Sequence, residues 1–158
     1  MRQDPTFITT EGQRVGRDGC RVPMPWNNES ATLGFNNGSA SWLPQPDHWK
    51  KLTASAQDGD ANSMLTLSRT ALQLRKELAA LGGITDDAEP LVWDEDAPAG
   101  VLSFVRPARL GGISIRCVVN MGTETVDLPW HGSALLMSEE HAFDGKSLKA
   151  STSVWLSA

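Results

Sequence analysis

Six apolar residues, Met64, Leu67, Ala71, Leu74, Leu78 and Leu81, recur at alternating spacings of three and four, which lays them along one face of an α-helix. Arg69, Gln73 and Lys76 fall off that stripe. Asp60 or Asn62 is placed to cap the start by accepting an orphan backbone N–H, and Gly82-Gly83 supplies a left-handed stop. The pattern predicts a helix over residues 62–81. Its stripe needs a covering surface, because each large side chain gains ~1.5–3 kcal/mol when withdrawn from water. Large apolar faces left open normally find a partner.

The flanks differ from one another. Residues 1–61 carry Gly12, Gly16, Gly19, Gly34 and Gly38, five prolines, and almost no periodic apolar pattern. Such a stretch exceeds the ~12–15 residues usual for a structureless connection in a compact domain, and loops of that length are functional or disordered. Trp26, Trp42 and Trp49 within it argue for order, so we read a functional loop with a short helical turn near Asp47 to Leu52. Residues 90–158 contain the β-favouring runs 91–93, 101–105, 113–119, 125–128, 134–137 and 154–156, punctuated by turn residues such as Pro98-Ala99-Gly100 and Asp144-Gly145. Six or seven short strands at this spacing predict an antiparallel sandwich.

Charge and composition remove several function classes. Fourteen basic and nineteen acidic residues leave a net charge of −5 with no basic cluster, which argues against a nucleic-acid partner. No apolar run approaches the ~20 residues needed to span a bilayer, and the first residues, Met1 to Pro5, form no signal-peptide core. Cys20 and Cys117 stand far apart and make no CxxC, a usage that fits a cytoplasmic setting.

The densest local chemistry is the run Gly16-Arg17-Asp18-Gly19-Cys20-Arg21-Val22-Pro23-Met24-Pro25-Trp26. It sets two guanidinium groups four residues apart around a carboxylate, beside a turn stiffened by two prolines. An Arg held by a neighbouring carboxylate presents a rigid fork of donors suited to hydroxyl or carboxylate recognition. The same residues also fit an Arg–Asp pair that merely braces a loop.

This run closely resembles the signature of the oligo-1,6-glucosidase and α-glucosidase subgroup of glycoside hydrolase family 13, the α-amylase superfamily. The likeness extends upstream through Arg2-Gln3-Asp4-Pro5-Thr6-Phe7, downstream through Gly38-Ser39-Ala40-Ser41-Trp42-Leu43-Pro44, and into the helix from Ser63 to Leu81. The resemblance implies an α+β piece. Residues 1–83 would be the last loop and helix of a (β/α)8 barrel, and residues 90–158 the small antiparallel β-sandwich domain (domain C) that follows it. Active sites of such barrels are built from loops at the C-terminal ends of their strands. The implied chemistry is retaining glycoside hydrolysis by a carboxylate nucleophile and a carboxylic acid. The signatures that carry those acids occur nowhere in the 158 residues, so no catalytic residue is assigned and the piece is expected to be inactive alone.

By the same resemblance, Arg21 occupies the position that holds the 4-hydroxyl of a glucose at the non-reducing subsite. It is the one residue assigned to substrate binding, with a glucose-containing oligosaccharide as the partner of the parent enzyme. Arg17, Asp18 and Trp26 are assigned to loop support. Val22 stands where the family commonly has Thr, which removes a hydroxyl near the turn, and Pro25, often Gln, bears on linkage preference. No cofactor or metal is implied. The helix 63–81 would pack on the remainder of the barrel, on the chain's own β domain, or on a second copy. A different class of reading, a non-catalytic carbohydrate-binding or structural β module, draws on the six Trp residues and the sandwich-like end.

Other candidates have plainer readings. Glu139-Glu140-His141 lacks a second ligand cluster and reads as a solvated loop. Asp94-Glu95-Asp96 reads as a charged turn at a strand end, Asp86-Asp87 as linker, and His48 and His131 carry no role.

Overall fold

The computed structural model describes residues 3–80, 90–108 and 112–158. The chain divides into two compact units, Met1–Thr66 and Leu67–Ala158. This division falls inside the long helix, whereas the sequence placed the break between residues 83 and 90.

The first unit contains more short helix than its composition promised. Helix α1 spans Pro5–Thr9, a 310 turn Asp18–Arg21, a second 310 turn Asp47–Leu52, and α2 Ala54–Gln57. The second turn falls where a helical turn was expected. The two short α-helices escaped notice because four or five residues cannot display a 3.6-residue period. Each is instead started by a side-chain cap: Asp4 Oδ1 accepts from the Thr6 N–H, and Thr53 Oγ1 from the Ala56 N–H. Apolar burial here is sparse, with Leu33 and Leu43 withdrawn from water alongside the polar Asp4, Asp18, Thr32, Thr53 and Ser63. Hydrogen bonds from buried side chains to loop backbone therefore order this unit, which a hydrophobic pattern does not display.

Helix α3 spans Met64–Ala80. Its cap is neither Asp60 nor Asn62. Ser63 Oγ accepts from the Thr66 N–H at 3.1 Å, and Gln57 Oε1 takes the Leu65 N–H at 3.1 Å. Asp60 is occupied with the Asn62 N–H. The apolar stripe is covered unevenly: Met64 is 67% exposed and Leu78 only 3%, with Leu67, Ala71 and Leu74 between them. Leu81 and the Gly82-Gly83 stop, with Asp86-Asp87, lie outside the described residues.

The second unit is built on strands β1 (Val92–Trp93), β2 (Val101–Arg106), β3 (Ile115–Asn120), β4 (Val126–Asp127), β5 (Ala134–Met137), β6 (Ser147–Leu148) and β7 (Ser153–Ser157). Five form one sheet in the order β1-β2-β3-β7-β5, antiparallel throughout, and β4 pairs with β6 in a second. Strict register puts Ser103, Val118 and Val154 in one row on the same face. That face meets Leu128, Trp130, Ala142, Phe143 and Leu148 in a single core. The expected antiparallel two-sheet domain is thus present, with β6 as an addition that two residues could not announce.

Asn120 closes the end of this core. It is 1% exposed, and its Nδ2 donates to the carbonyls of Glu124, Lys149 and Leu148 at 2.8, 3.0 and 3.1 Å. Its Oδ1 accepts the Gly122 N–H at 2.9 Å. Every polar atom of the amide is used, as a buried position demands.

Candidate functional site

The site is a knot between the chain start and the Gly16–Trp26 run, entirely within the first unit. Asp4 sits at its centre. Its Oδ2 accepts the Arg17 N–H at 3.0 Å and Arg21 Nη1 at 3.3 Å, while Oδ1 caps α1 through the Thr6 N–H at 2.8 Å. Pro5 at the first helical position needs no partner for an N–H that it lacks. In return, Asp18 Oδ2 accepts the N–H groups of Gln3 and Asp4 at 2.6 and 3.0 Å. Each carboxylate thus fixes the backbone that carries the other.

Asp4 is 1% exposed and Asp18 8%. Burying a carboxylate is costly unless its oxygens are satisfied; both Asp4 oxygens are bonded, and Asp18 Oδ2 takes two N–H groups. The Arg17 N–H above all, then the Thr6 N–H, holds the Asp4 carboxyl below the usual carboxylate range, with the charge of Arg21 adding to the effect. Asp4 is therefore an anion across the neutral range. Gly16 adopts φ +71°, and a Cβ there would come within 2.6 to 2.7 Å of the Asp4 carboxyl. Glycine at 16 is required both by that backbone and by the space the carboxylate occupies.

Arg21 presents a guanidinium that is anchored but open. The side chain is 44% exposed, and Nη1 is directed at a carboxylate that is almost wholly buried. Among the described residues, Nε and Nη2 make no hydrogen bond. One corner of the fork is tethered, and the side chain as a whole is nearly half in water. Such donors are available to a hydroxyl or a carboxylate acceptor.

The three residues assigned to loop support make different contacts. Asp18 accepts two backbone N–H groups with its carboxylate. Arg17 contributes its backbone N–H, since its side chain is 75% exposed and Nε stands 3.9 Å from Asp4. Trp26 is half exposed; it ties the loop through its backbone, donating to the Leu33 carbonyl at 2.7 Å and accepting from the Ser55 N–H at 2.9 Å. Cys20 is a free thiol, exposed, with Sγ 3.0 Å from the Arg17 carbonyl. Asp4, the centre of these contacts, carries no role in the sequence reading. The signal lay in the Asp4-Pro5 pair, a cap followed by a first-turn proline.

Of the other sequence candidates, Asp94-Glu95-Asp96 and Glu139-Glu140-His141 belong to the second unit. His141, with Glu140 3.3 Å away, is an exposed residue at φ +58°. Among the described residues no three His, Cys, Asp or Glu side chains are grouped to hold a metal ion.

The family profile described as "Alpha amylase, catalytic domain" matches residues 2–83. The chain is 33% identical over 129 residues to a probable alpha-glucosidase of Rhizobium meliloti, an alignment covering 80% of this chain and 22% of that protein. It is 32% identical over 75 residues to the oligo-1,6-glucosidase of Parageobacillus thermoglucosidasius, covering 48% of this chain and 13% of that protein. Among solved structures, the trehalulose synthase MutB from Pseudomonas mesoacidophila MX-45 superposes with a TM-score of 0.72 at 23% identity, over 96% of this chain and 28% of that one. The chain spans between an eighth and about a quarter of the length of these relatives.

Proposed function

This chain belongs to the α-amylase family, glycoside hydrolase family 13, and from that premise we propose that it is the C-terminal part of a retaining α-glucosidase acting on small oligosaccharides. In this reading residues 1–83 are the final loop and helix of the barrel, and residues 90–158 are its terminal β domain. The helix 63–81 packs against the remainder of the barrel or against a second copy, and the enzyme is cytoplasmic. The nucleophile and the acid that protonates the leaving oxygen belong to other parts of the polypeptide. Arg21 holds a hydroxyl of the glucose being transferred.

The single observation that carries this reading is the geometry of Arg21: a guanidinium anchored by one nitrogen to buried Asp4 and otherwise open. A loop-bracing Arg would spend its remaining donors on the loop. Two kinds of relative add support. The matched curated proteins are named as glucosidases, and the trehalulose synthase has been solved with sucrose and with glucose.

Two measurements test the proposal. The 158-residue chain alone is expected to show no turnover of a chromogenic α-glucoside, and protein-dependent hydrolysis would contradict the absence of its reactive acids. In the complete enzyme, arginine-directed labelling with phenylglyoxal is expected to slow at Arg21 when glucose is added, while Arg17, whose side chain is 75% exposed, reacts unchanged. Equal labelling of Arg21 with and without sugar would remove its assigned role.

A further inference from the structure

The segment Arg21–Trp26 has prolines at 23 and 25, which supply no N–H, so it forms no regular pairing of its own. Four of its carbonyls are taken instead by donors from residues 42–55. Arg21 O accepts Trp42 Nε1 at 2.9 Å, and Pro23 O accepts Gln45 Nε2 at 3.1 Å. Pro25 O accepts the Ala54 N–H at 3.2 Å, and Trp26 O the Ser55 N–H at 2.9 Å. The last two are backbone groups that almost any residue provides. The first two are side chains, so they depend on residue identity.

Trp42 is held for this task. Its ring meets Phe35 edge-on, with centroids 4.9 Å apart at 87°, and its carbonyl accepts Gln3 Nε2 at 3.4 Å. A Phe would supply the same edge contact; only the indole adds a donor. Trp42 is nevertheless 57% exposed, so burial alone does not account for a Trp here. Gln45 is similar, because its Oε1 is buried without a hydrogen bond among the described residues. An apolar residue would avoid that unsatisfied oxygen, but it would leave Pro23 O without its donor.

We propose that Trp42 and Gln45 are positioning residues for Arg21. The inference rests on the sugar-binding reading of Arg21 and names what aims that side chain. Asp4 draws the guanidinium from one end, and Trp42 fixes the peptide unit at the other. Gln45 secures the backbone two residues further on. An arginine side chain has four rotatable bonds between those ends, so a small drift of the peptide unit is enough to carry the guanidinium away from its target. Misplacement of about 1 Å is enough to lower catalysis substantially.

The test is a double-mutant cycle in the complete enzyme with p-nitrophenyl α-D-glucoside. Trp42→Phe is expected to lower kcat/KM about fivefold, the scale of one neutral hydrogen bond, chiefly through KM. In an Arg21→Ala background the same substitution is expected to change nothing further, because residues acting through one group are not additive. Gln45→Met goes through the same cycle with the same expectation, so a Trp42 variant that does not fold still leaves the coupling measurable. Equal losses in both backgrounds would mean that these residues act only on folding, and the positioning role would fall while Arg21 kept its own. An Arg21→Ala enzyme with unchanged kcat/KM would overturn the sugar-binding reading and this inference with it.

Discussion

Arg21→Ala in the complete enzyme is expected to lower kcat/KM for a small α-glucoside about 10²-fold. One charge-assisted hydrogen bond contributes ~1.5–3 kcal/mol, and the upper part of that range corresponds to this loss. The effect should be read in catalysis and hardly at all in melting temperature. Nearly half of the Arg21 side chain is in water, so its truncation removes little buried surface, and exposed ion pairs contribute little to stability. Asp4 would keep the N–H groups of Arg17 and Thr6. Arg21→Lys is expected to fall between wild type and Ala, since a lysine keeps the charge and loses the fork. An Arg21→Ala enzyme that melts early and binds sugar normally would assign Arg21 to the structure of the loop.

Asp94→Ala is expected to lower the stability of the β unit by about 3 kcal/mol, the scale for removing one partner of a buried ion pair. Arg116 Nε and Nη2 donate to the two oxygens of Asp94 at 3.0 and 3.1 Å, and Ser103 Oγ adds a bond of 2.6 Å. Side-chain exposure is 11% for Asp94 and 17% for Arg116, so neither recovers full hydration when the other is removed. Arg116 also lies 4.9 Å from the ring centroid of Trp130, a core residue, so the loss would spread inward. Urea unfolding followed by Trp fluorescence measures the change, and a difference within experimental error would rule out the pair as a major contributor.

The same pair has a pH signature. Burial alone would push the Asp94 carboxyl up, but the bonds from Arg116 and Ser103 outweigh it and leave the group below its ordinary value. A folded-state value lower than the unfolded one means that the contribution is complete above about pH 4 and disappears as pH falls through the folded value. The stability gap between wild type and Asp94→Ala should therefore hold through neutral pH and narrow only in strong acid.

The sequence was a good guide wherever neighbours along the chain decide the outcome. The spacing of Leu67, Ala71, Leu74 and Leu78 specifies a helix because side chains three and four apart share a face. The short β-branched runs between turn residues mark strands for a comparable local reason. Local stiffening by Pro23 and Pro25, and the clustered charges of Arg17, Asp18 and Arg21, also marked the loop that carries the Asp4–Arg21 contact. Pairing was another matter. Asp94 read as part of a charged turn, because Arg116 is 22 residues away and reaches it only through the register that aligns β1, β2 and β3. Asp4, Trp42 and Gln45 were equally silent about Arg21 at separations of 17 to 24 residues.

What the sequence determined by itself was the long helix, most of the strands and the loop where charges and prolines cluster, since these follow from backbone sterics, local composition and the period of apolar residues. Tertiary structure alone decided which carboxylate meets which guanidinium and which carbonyl meets which donor. Those choices depend on where folded segments pass one another, and a hydrogen bond that fails beyond about 3.5 Å discriminates on a scale that no linear pattern encodes.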